Sequence, residues 1–372
     1  MQQKLSLPIL PGKRAYEYRK PVAMVSCIPE ESSLTITWPF PIAGEEISET
    51  KVVGREESMR FVTFARKNQQ RIGLMDAQDQ IIDVAEINRR HLRGGQPPYL
   101  ESMQAFIEAG AKALQIAKKA EKFVAGKKVE EKKKLFRAGA LLKLNQVKLL
   151  APIPWPRKNV VMLGINYREH VDEGARARSL DIKYPEWPVY FTKPATSVIG
   201  HMGKVVHHKA TDRLDWEIEL AVVIGRKGRD IPKDKAYDYV FGYTVCLDMT
   251  ARELQRQHGQ WFKGKSLDTF CPLGPWIVHK SALPDPQQVR LICRVNGEVM
   301  QDGNTRDMIF DIPTIIESLS SGLTLEPGDI ISTGTPSGVG FARVPPVYLN
   351  PGDKVEGEVE GIGILQVEVV EP

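Results

Sequence analysis

The chain has 372 residues, 42% of them hydrophobic and 26% charged, the balance of a globular protein with room for a sizeable core and more than one structural unit. No apolar run reaches the length that spans a bilayer, and no apolar core near the N-terminus leads to a cleavage site, so a cytoplasmic protein without a membrane partner is expected. The net charge of +5 owes much to one stretch, Lys118 to Lys134, which mixes Lys with Glu as a solvated helix or linker does, so no nucleic-acid partner is expected.

Residues 1–58 are rich in Pro, Glu and Ser, offer one strand candidate, Ser33 to Trp38, and lack the apolar periodicity of a domain. Either Met59 is the true start or this extension packs on the body as an arm. Residues 59–150 predict a small α/β unit: strands over Arg60 to Phe64, Gln70 to Met75 and Gln80 to Val84, then helices near Ser102 to Ala109 and Ala111 to Phe123. Asn68-Gln69 and Asp76 to Asp79 carry turn chemistry between them. The unit holds no catalytic constellation and reads as a packing domain. Ala151-Pro-Ile-Pro-Trp-Pro156 cannot be helix and predicts an extended linker at a domain boundary. Residues 151–372 are short strands punctuated by Gly and Pro, ending in the alternating runs Lys354 to Glu360 and Leu365 to Val369. Without regular βαβα alternation, a β-rich α+β body fits better than a doubly wound sheet. Cys27, Cys246, Cys271 and Cys293 have no C-x-x-C spacing and read as buried, reduced thiols.

The chemistry concentrates in this second body. Val160 to Asn166 predicts a buried strand running into His170-Val-Asp-Glu173. Helical residues three apart share a side, so Glu173 is placed to hold one ring nitrogen of His170 and leave the other to take a proton from water; an incidental surface pair is the alternative. The charged stretch 174–188 is a candidate lid. Lys193, ending Tyr190-Phe-Thr-Lys, either meets an anionic substrate or is simply exposed. Leu214 to Val223 predicts a strand with Glu217 and Glu219 side by side on one face. A second strand, Tyr239 to Leu247, runs into Asp248, and Thr250 with Glu253 has capping-box spacing, so a helix is expected to start there. Three carboxylates from two strands offer hard oxygen donors suited to Mg2+ or Mn2+, with Ca2+ admissible and Zn2+ less suited.

Gly259 to Ser266 carries the letters of a phosphate-binding loop, but a helix precedes it and Trp261 and Phe262 fill it, so nucleotide binding is not expected. Lys265 reads instead as a pocket cation facing a carboxylate or enolate oxygen, with Arg252 and Gln255 as helpers. Gly328 to Gly340 is a strand feeding a glycine-rich loop. Its amides and the Thr335 hydroxyl suit a carboxylate, unless the loop is merely a tight connection.

Taken in order, Gly164-Ile-Asn-Tyr-x-x-His170-x-x-Glu173, Phe191-Thr-Lys-Pro194, Asp215-Trp-Glu-Ile-Glu219, Phe241-Gly-Tyr-Thr-x-x-x-Asp248-x-Thr-Ala-Arg252, Gly264-Lys-Ser266 and Thr333-Gly-Thr-Pro-x-Gly-Val-Gly340 resemble the fumarylacetoacetate hydrolase family from Met59 onward. The resemblance implies a β-rich mixed-sheet roll over 151–372, a small N-terminal α/β domain over 59–150, and a homodimer. It assigns Glu217, Glu219 and Asp248 to a metal, His170 and Glu173 to water activation, and Lys265 to the active site. The implied substrate is a small 2-oxo acid. Its enolate is stabilised by the metal, so whichever bond yields that enolate becomes breakable. The dyad favours hydrolysis, making a C-C hydrolase of acylpyruvate or fumarylpyruvate-type 2,4-dioxo acids the first expectation. An oxaloacetate tautomerase or decarboxylase, or a 2-hydroxydienedioate isomerase, is the alternative on the same chemistry, and an idle binding protein is the alternative of another class.

Overall fold

The structure, a computed structural model, describes residues 59–66 and 69–372; the strand expected over Ser33 to Trp38, Cys27 and the turn residue Asn68 lie outside them. Ten strands form the main path of one large mixed sheet: Arg60–Arg66 (β1), Gln69–Met75 (β2), Gln80–Asp83 (β3), Leu141–Lys143 (β4), Val160–Gly164 (β5), Val189–Lys193 (β6), Ile218–Ile224 (β7), Val240–Leu247 (β8), Cys271–His279 (β9) and Ile330–Ser332 (β10). Their order is β4-β3-β2-β1-β9-β8-β7-β10-β5-β6. Within this path only β10 and β5 run parallel. Along β7 every residue is buried, and alternate side chains enter different cores: Leu220, Val222 and Ile224 one, Ala221 and Val223 the other. A strand with both faces covered reads as a continuous apolar run, as the sequence 218–224 does apart from Glu219.

The first core is shared with a second sheet of five strands that includes Arg290–Val295, Lys354–Val359 and Gly363–Val370. The other core is closed by helices α1 (Val84–His91), α2 (Met103–Ala109), α3 (Ala111–Ala125) and α4 (Val129–Ala138). In α3 the buried positions Ala113, Ala117, Ala120 and Val124 form one stripe, leaving the lysines of the Lys118 to Lys134 stretch to the outer face. Three further helices flank the site: α5 (Arg168–Arg178) after β5, α6 (Arg252–Gln257) after β8 and α7 (Phe262–Lys265) before β9.

The strand-rich mixed architecture is the one expected, with four local differences. The 59–150 stretch does not stand apart: β1 pairs with β9, Arg60 opposite Val278 and Phe61 opposite Ile277, so the sheet runs through it. The stretch 151–156 is a packed strap rather than a free linker, because Ala151 and Ile153 are buried and Thr63 Oγ1 donates to the Pro152 carbonyl at 2.6 Å. The strand expected over Leu214 to Val223 is broken. Leu214–Asp215 pairs with Thr250–Ala251, and β7 begins only at Ile218, whose N–H goes to the Gln301 side chain. The capping box does not form: Thr250 Oγ1 donates to the Asp248 carbonyl and the Glu253 carboxylate accepts from Thr211 and Asp212, so α6 starts from Ala251 without a side-chain cap. Cys246, Cys271 and Cys293 are buried free thiols. Among the described residues no helix is long and apolar enough to cross a membrane.

Candidate active site

Three carboxylates arrive from neighbouring strands. Glu219 stands on β7, Glu217 just before it and Asp248 just after β8, where the Asp248 N–H donates to the Glu217 carbonyl at 2.8 Å and locks the two chain segments together. All three side chains are buried, and one carboxylate oxygen of each lies within 4.8 Å of the others. Lys265 Nζ, itself buried, donates to Glu217 Oε2 and Asp248 Oδ2, both at 2.7 Å. On the other side of Glu217, Arg252 Nη2 lies 2.7 Å from Oε1.

These cations divide the carboxylates electrically. Burial opposes ionisation of Glu217, but Lys265 and Arg252 outweigh it and hold the carboxyl well below its usual range. Among the described residues no cation pairs with Glu219. Burial first, and then Asp248, Cys246 and Glu217 beside it, push it well above the ordinary carboxylate range. Its Oε2 accepts from Ser332 Oγ at 2.5 Å and the Gly334 N–H at 3.0 Å, while the buried Oε1 has no hydrogen-bond partner among the described residues. A buried carboxylate oxygen without a donor, beside two more carboxylates, is satisfied by a hard divalent cation, so the residues fit such an ion.

His170 is on α5, with Nδ1 2.7 Å from Glu173 Oε1, and the Glu173 Oε2 accepts from the Gly338 N–H at 2.8 Å. The carboxylate therefore fixes the ring with the proton on Nδ1 and leaves Nε2 as the basic nitrogen. The ring lines a cavity of about 420 Å³ together with Glu217, Glu219, Lys265, Gln255 and Thr335. Phe191 and Trp261, edge to face with centroids 5.6 Å apart, form an apolar wall. Gly164 makes room for it, since a Cβ there would collide with the Trp261 ring. Next to it Ile165, a β-branched residue at φ +47°, turns the chain out of β5 into the cavity lining.

The structure brings most of the expected residues to this cavity and redefines four of them. Lys193 is not a substrate contact. It is fully buried, its ammonium donates to the carbonyls of Met249, Lys265 and Phe270, and it pairs with Asp248 Oδ1 at 2.7 Å, so it braces the acidic triad from behind. The Thr335 hydroxyl reaches the cavity wall, but it donates to the Ile218 carbonyl at 2.8 Å and accepts from Gln301. Arg252 is held between Asp215 (Nε to Oδ2, 2.7 Å) and Glu217, and Gln255 accepts from its Nη1 at 3.2 Å. The glycine-rich loop does bind carboxylates through its amides, but they are the protein's own. Gly334 serves Glu219, Gly338 serves Glu173, and Gly340 with Phe341 serves Asp215.

Asp215, Arg178, Arg256 and Phe341 carry no expected role from the sequence. For Asp215 a signal existed: it is the first acid of the alternation Asp215-x-Glu217-x-Glu219. The two arginines and Phe341 reach the cavity from three separate segments, and no local spacing announces that.

Residues 159–370 match the family model for the fumarylacetoacetate hydrolase C-terminal domain. The oxaloacetate tautomerase YisK of Bacillus subtilis is 43% identical over 318 residues, 84% of this chain and 100% of that protein. The human mitochondrial oxaloacetate tautomerase FAHD2B is 40% identical over 75% of this chain and 83% of its own length. Among solved structures, a maleylpyruvate hydrolase from Sphingobium sp. SYK-6 in complex with manganese(II) and pyruvate is 29% identical, with a TM-score of 0.62 over 84% of this chain and 99% of that one. Motifs, fold and relatives agree: the chain belongs to the fumarylacetoacetate hydrolase family.

Proposed function

We propose that this protein is an oxaloacetate tautomerase that works with Mg2+ or Mn2+ held by Glu217, Glu219 and Asp248. The relatives of highest identity named above are oxaloacetate tautomerases, and one family structure carries manganese(II) with pyruvate, a 2-oxo acid. The observation that carries the reading is His170: it lines the cavity with Nδ1 committed to Glu173, so a single basic nitrogen faces the substrate. Tautomerisation needs only one group that takes a proton and returns it.

The bound ion would polarise the 2-oxo group and lower the cost of enolate charge. His170 Nε2 takes a proton from C3, the C-H electrons form the C2-C3 double bond, and the same nitrogen returns the proton to the C2 oxygen. Glu173 keeps the ring oriented and stabilises the imidazolium through Nδ1–H. Lys265, paired with both Glu217 and Asp248, holds the two carboxylates in place.

The sequence points first to C-C hydrolysis, and the maleylpyruvate hydrolase relative favours that as the second reading. One assay separates the two. With Mg2+, purified protein should speed keto-enol equilibration of oxaloacetate, followed by enol absorbance, without releasing pyruvate. His170→Asn should lower that rate by roughly 100-fold or more. Release of pyruvate and the matching acid from acetylpyruvate or fumarylpyruvate, with oxaloacetate equilibrating no faster than in buffer, would overturn the tautomerase reading in favour of hydrolysis.

A further inference from the structure

Three guanidinium groups gather around one phenyl ring at the cavity. The Cζ atoms of Arg252, Arg178 and Arg256 lie 4.5, 4.9 and 5.9 Å from the centroid of Phe341, and all four residues line the cavity. Arg252 is neutralised by Asp215 and Glu217. Arg178, the last residue of α5, and Arg256, on α6, are different. Among the described residues neither has a hydrogen bond or an ion pair to any carboxylate, and the ring is the partner the structure gives each. Two uncompensated cations converging beside a third are mutually repulsive. Consistently, burial and then the charges of Arg256 and Arg252 lower the Arg178 pKa. Unpaired surface arginines ordinarily spread into water. These two, though exposed, converge on the same cavity as Glu217 and Glu219.

We propose that Arg178 and Arg256 are the receptor for a second carboxylate on the substrate, so that the cavity selects 2-oxo dicarboxylates over 2-oxo monocarboxylates. The proposal rests on the tautomerase reading only for the identity of the reacting end. The 2-oxo acid end belongs at the triad, where Glu217, Glu219 and Lys265 line the cavity, and the far end meets the arginine pair. Guanidinium groups suit this task because their fixed donor forks match a carboxylate, and a charge-assisted bond to an unpaired cation needs no internal ion pair to be broken. The Phe341 ring lies beside both groups, its centroid 4.9 and 5.9 Å from their Cζ atoms, and attracts each by a cation–π contact. Because Arg178 ends α5 directly ahead of the charged stretch 179–188, the far carboxylate would also anchor that stretch.

The test uses two ligands that cannot enolise and differ at one group: 2-oxo-3,3-dimethylsuccinate and trimethylpyruvate, in which a methyl replaces the far carboxylate. Calorimetric titration into the full chain with saturating Mg2+ should find the dicarboxylate bound more tightly. Arg178→Gln and Arg256→Gln should each weaken it by about tenfold while changing trimethylpyruvate by less than about twofold. The double variant should bind both ligands alike. Both side chains are exposed at the cavity rim, so folding should be preserved, and unchanged thermal unfolding confirms it. Equal affinity of the wild type for the two ligands, or equal weakening of both in the variants, overturns the proposal. An intact preference in a protein that fails to turn over oxaloacetate supports the receptor and displaces only the tautomerase reading.

Discussion

At Glu219 a proton would compete with the metal ion proposed for the triad. Its carboxyl is raised by burial first and then by Asp248, Cys246 and Glu217, so without an ion it retains its proton above the ordinary value of 4.5. Its stabilising contribution to the ion-free protein is thus present below 4.5 and lost as pH rises through the raised value. Glu217 has the opposite sign: lowered from 4.5, its contribution is present above that value and lost as pH falls. Mg2+ binding should therefore release a proton, read as a binding enthalpy that varies with the ionisation heat of the buffer. Mg2+ should also raise the unfolding temperature more at mildly alkaline than at mildly acidic pH. Glu219→Gln should abolish the proton release; its persistence in that variant would place the proton elsewhere. The carboxylates and the His170-Glu173 pair were legible in the sequence because short motifs and i,i+3 spacing are local facts, although the strand expected to carry Glu217 begins only at Ile218. The cations packed against them were only partly so. Arg252 and Lys265 stood in motifs, whereas the burial of Lys193 behind Asp248 depends on three carbonyls from residues 249, 265 and 270.

The glycine-rich loop from Gly334 to Gly340 is the element that ties the site together, and it works through backbone amides. Gly338 is at φ +104°, and a Cβ there would fall on the Met300 carbonyl oxygen. Gly352 is at a similar φ, +97°, with nothing within 4 Å of a Cβ. Gly352→Ala should thus report the backbone term alone, roughly 1–2 kcal/mol. Gly338→Ala should add a collision that moves the chain, costing roughly 1–3 kcal/mol more. It should also lower turnover, because the Gly338 N–H holds Glu173 and through it His170. Urea denaturation and initial rates on the two variants check this; equal costs with unchanged turnover would deny the loop that role. The sequence made the loop visible and gave its amides a carboxylate to bind, but not which one. Three protein carboxylates take those amides only because β10 brings the loop back beside β7 and α5. The capping box that does not form at α6 has the same origin. Glu253 has the right spacing for Thr250, yet Thr211 and Asp212, about 40 residues earlier in the sequence, claim its carboxylate.

Across the whole molecule, the boundary expected between 150 and 151 is crossed by both sheet and core. A period-two pattern identifies β1 but not its neighbour, and proline spacing identifies an extended strap but not that it packs. In the fold, Phe61 on β1 is fully buried, with its ring centroid 5.1 Å from Phe106 of α2 and 5.5 Å from Phe241 of β8. It therefore joins the N-terminal helices to the strand that leads into Asp248. Phe61→Ala should cost about 3–5 kcal/mol, the usual loss for a buried phenyl. Five of the six tryptophans, Trp155, Trp187, Trp216, Trp261 and Trp276, lie beyond residue 150, so indole fluorescence reports mainly on the catalytic part. If sheet and core make one cooperative unit, Phe61→Ala shifts the fluorescence transition in guanidinium and the circular-dichroism transition together. If residues 59–150 fold independently, fluorescence keeps its wild-type midpoint while part of the dichroism change moves to lower denaturant. The continuous ladder from β2 through β1 to β9 predicts the joint shift, with Mg2+ raising both midpoints, since an ion held at β7 and β8 stabilises every strand that unfolds with them.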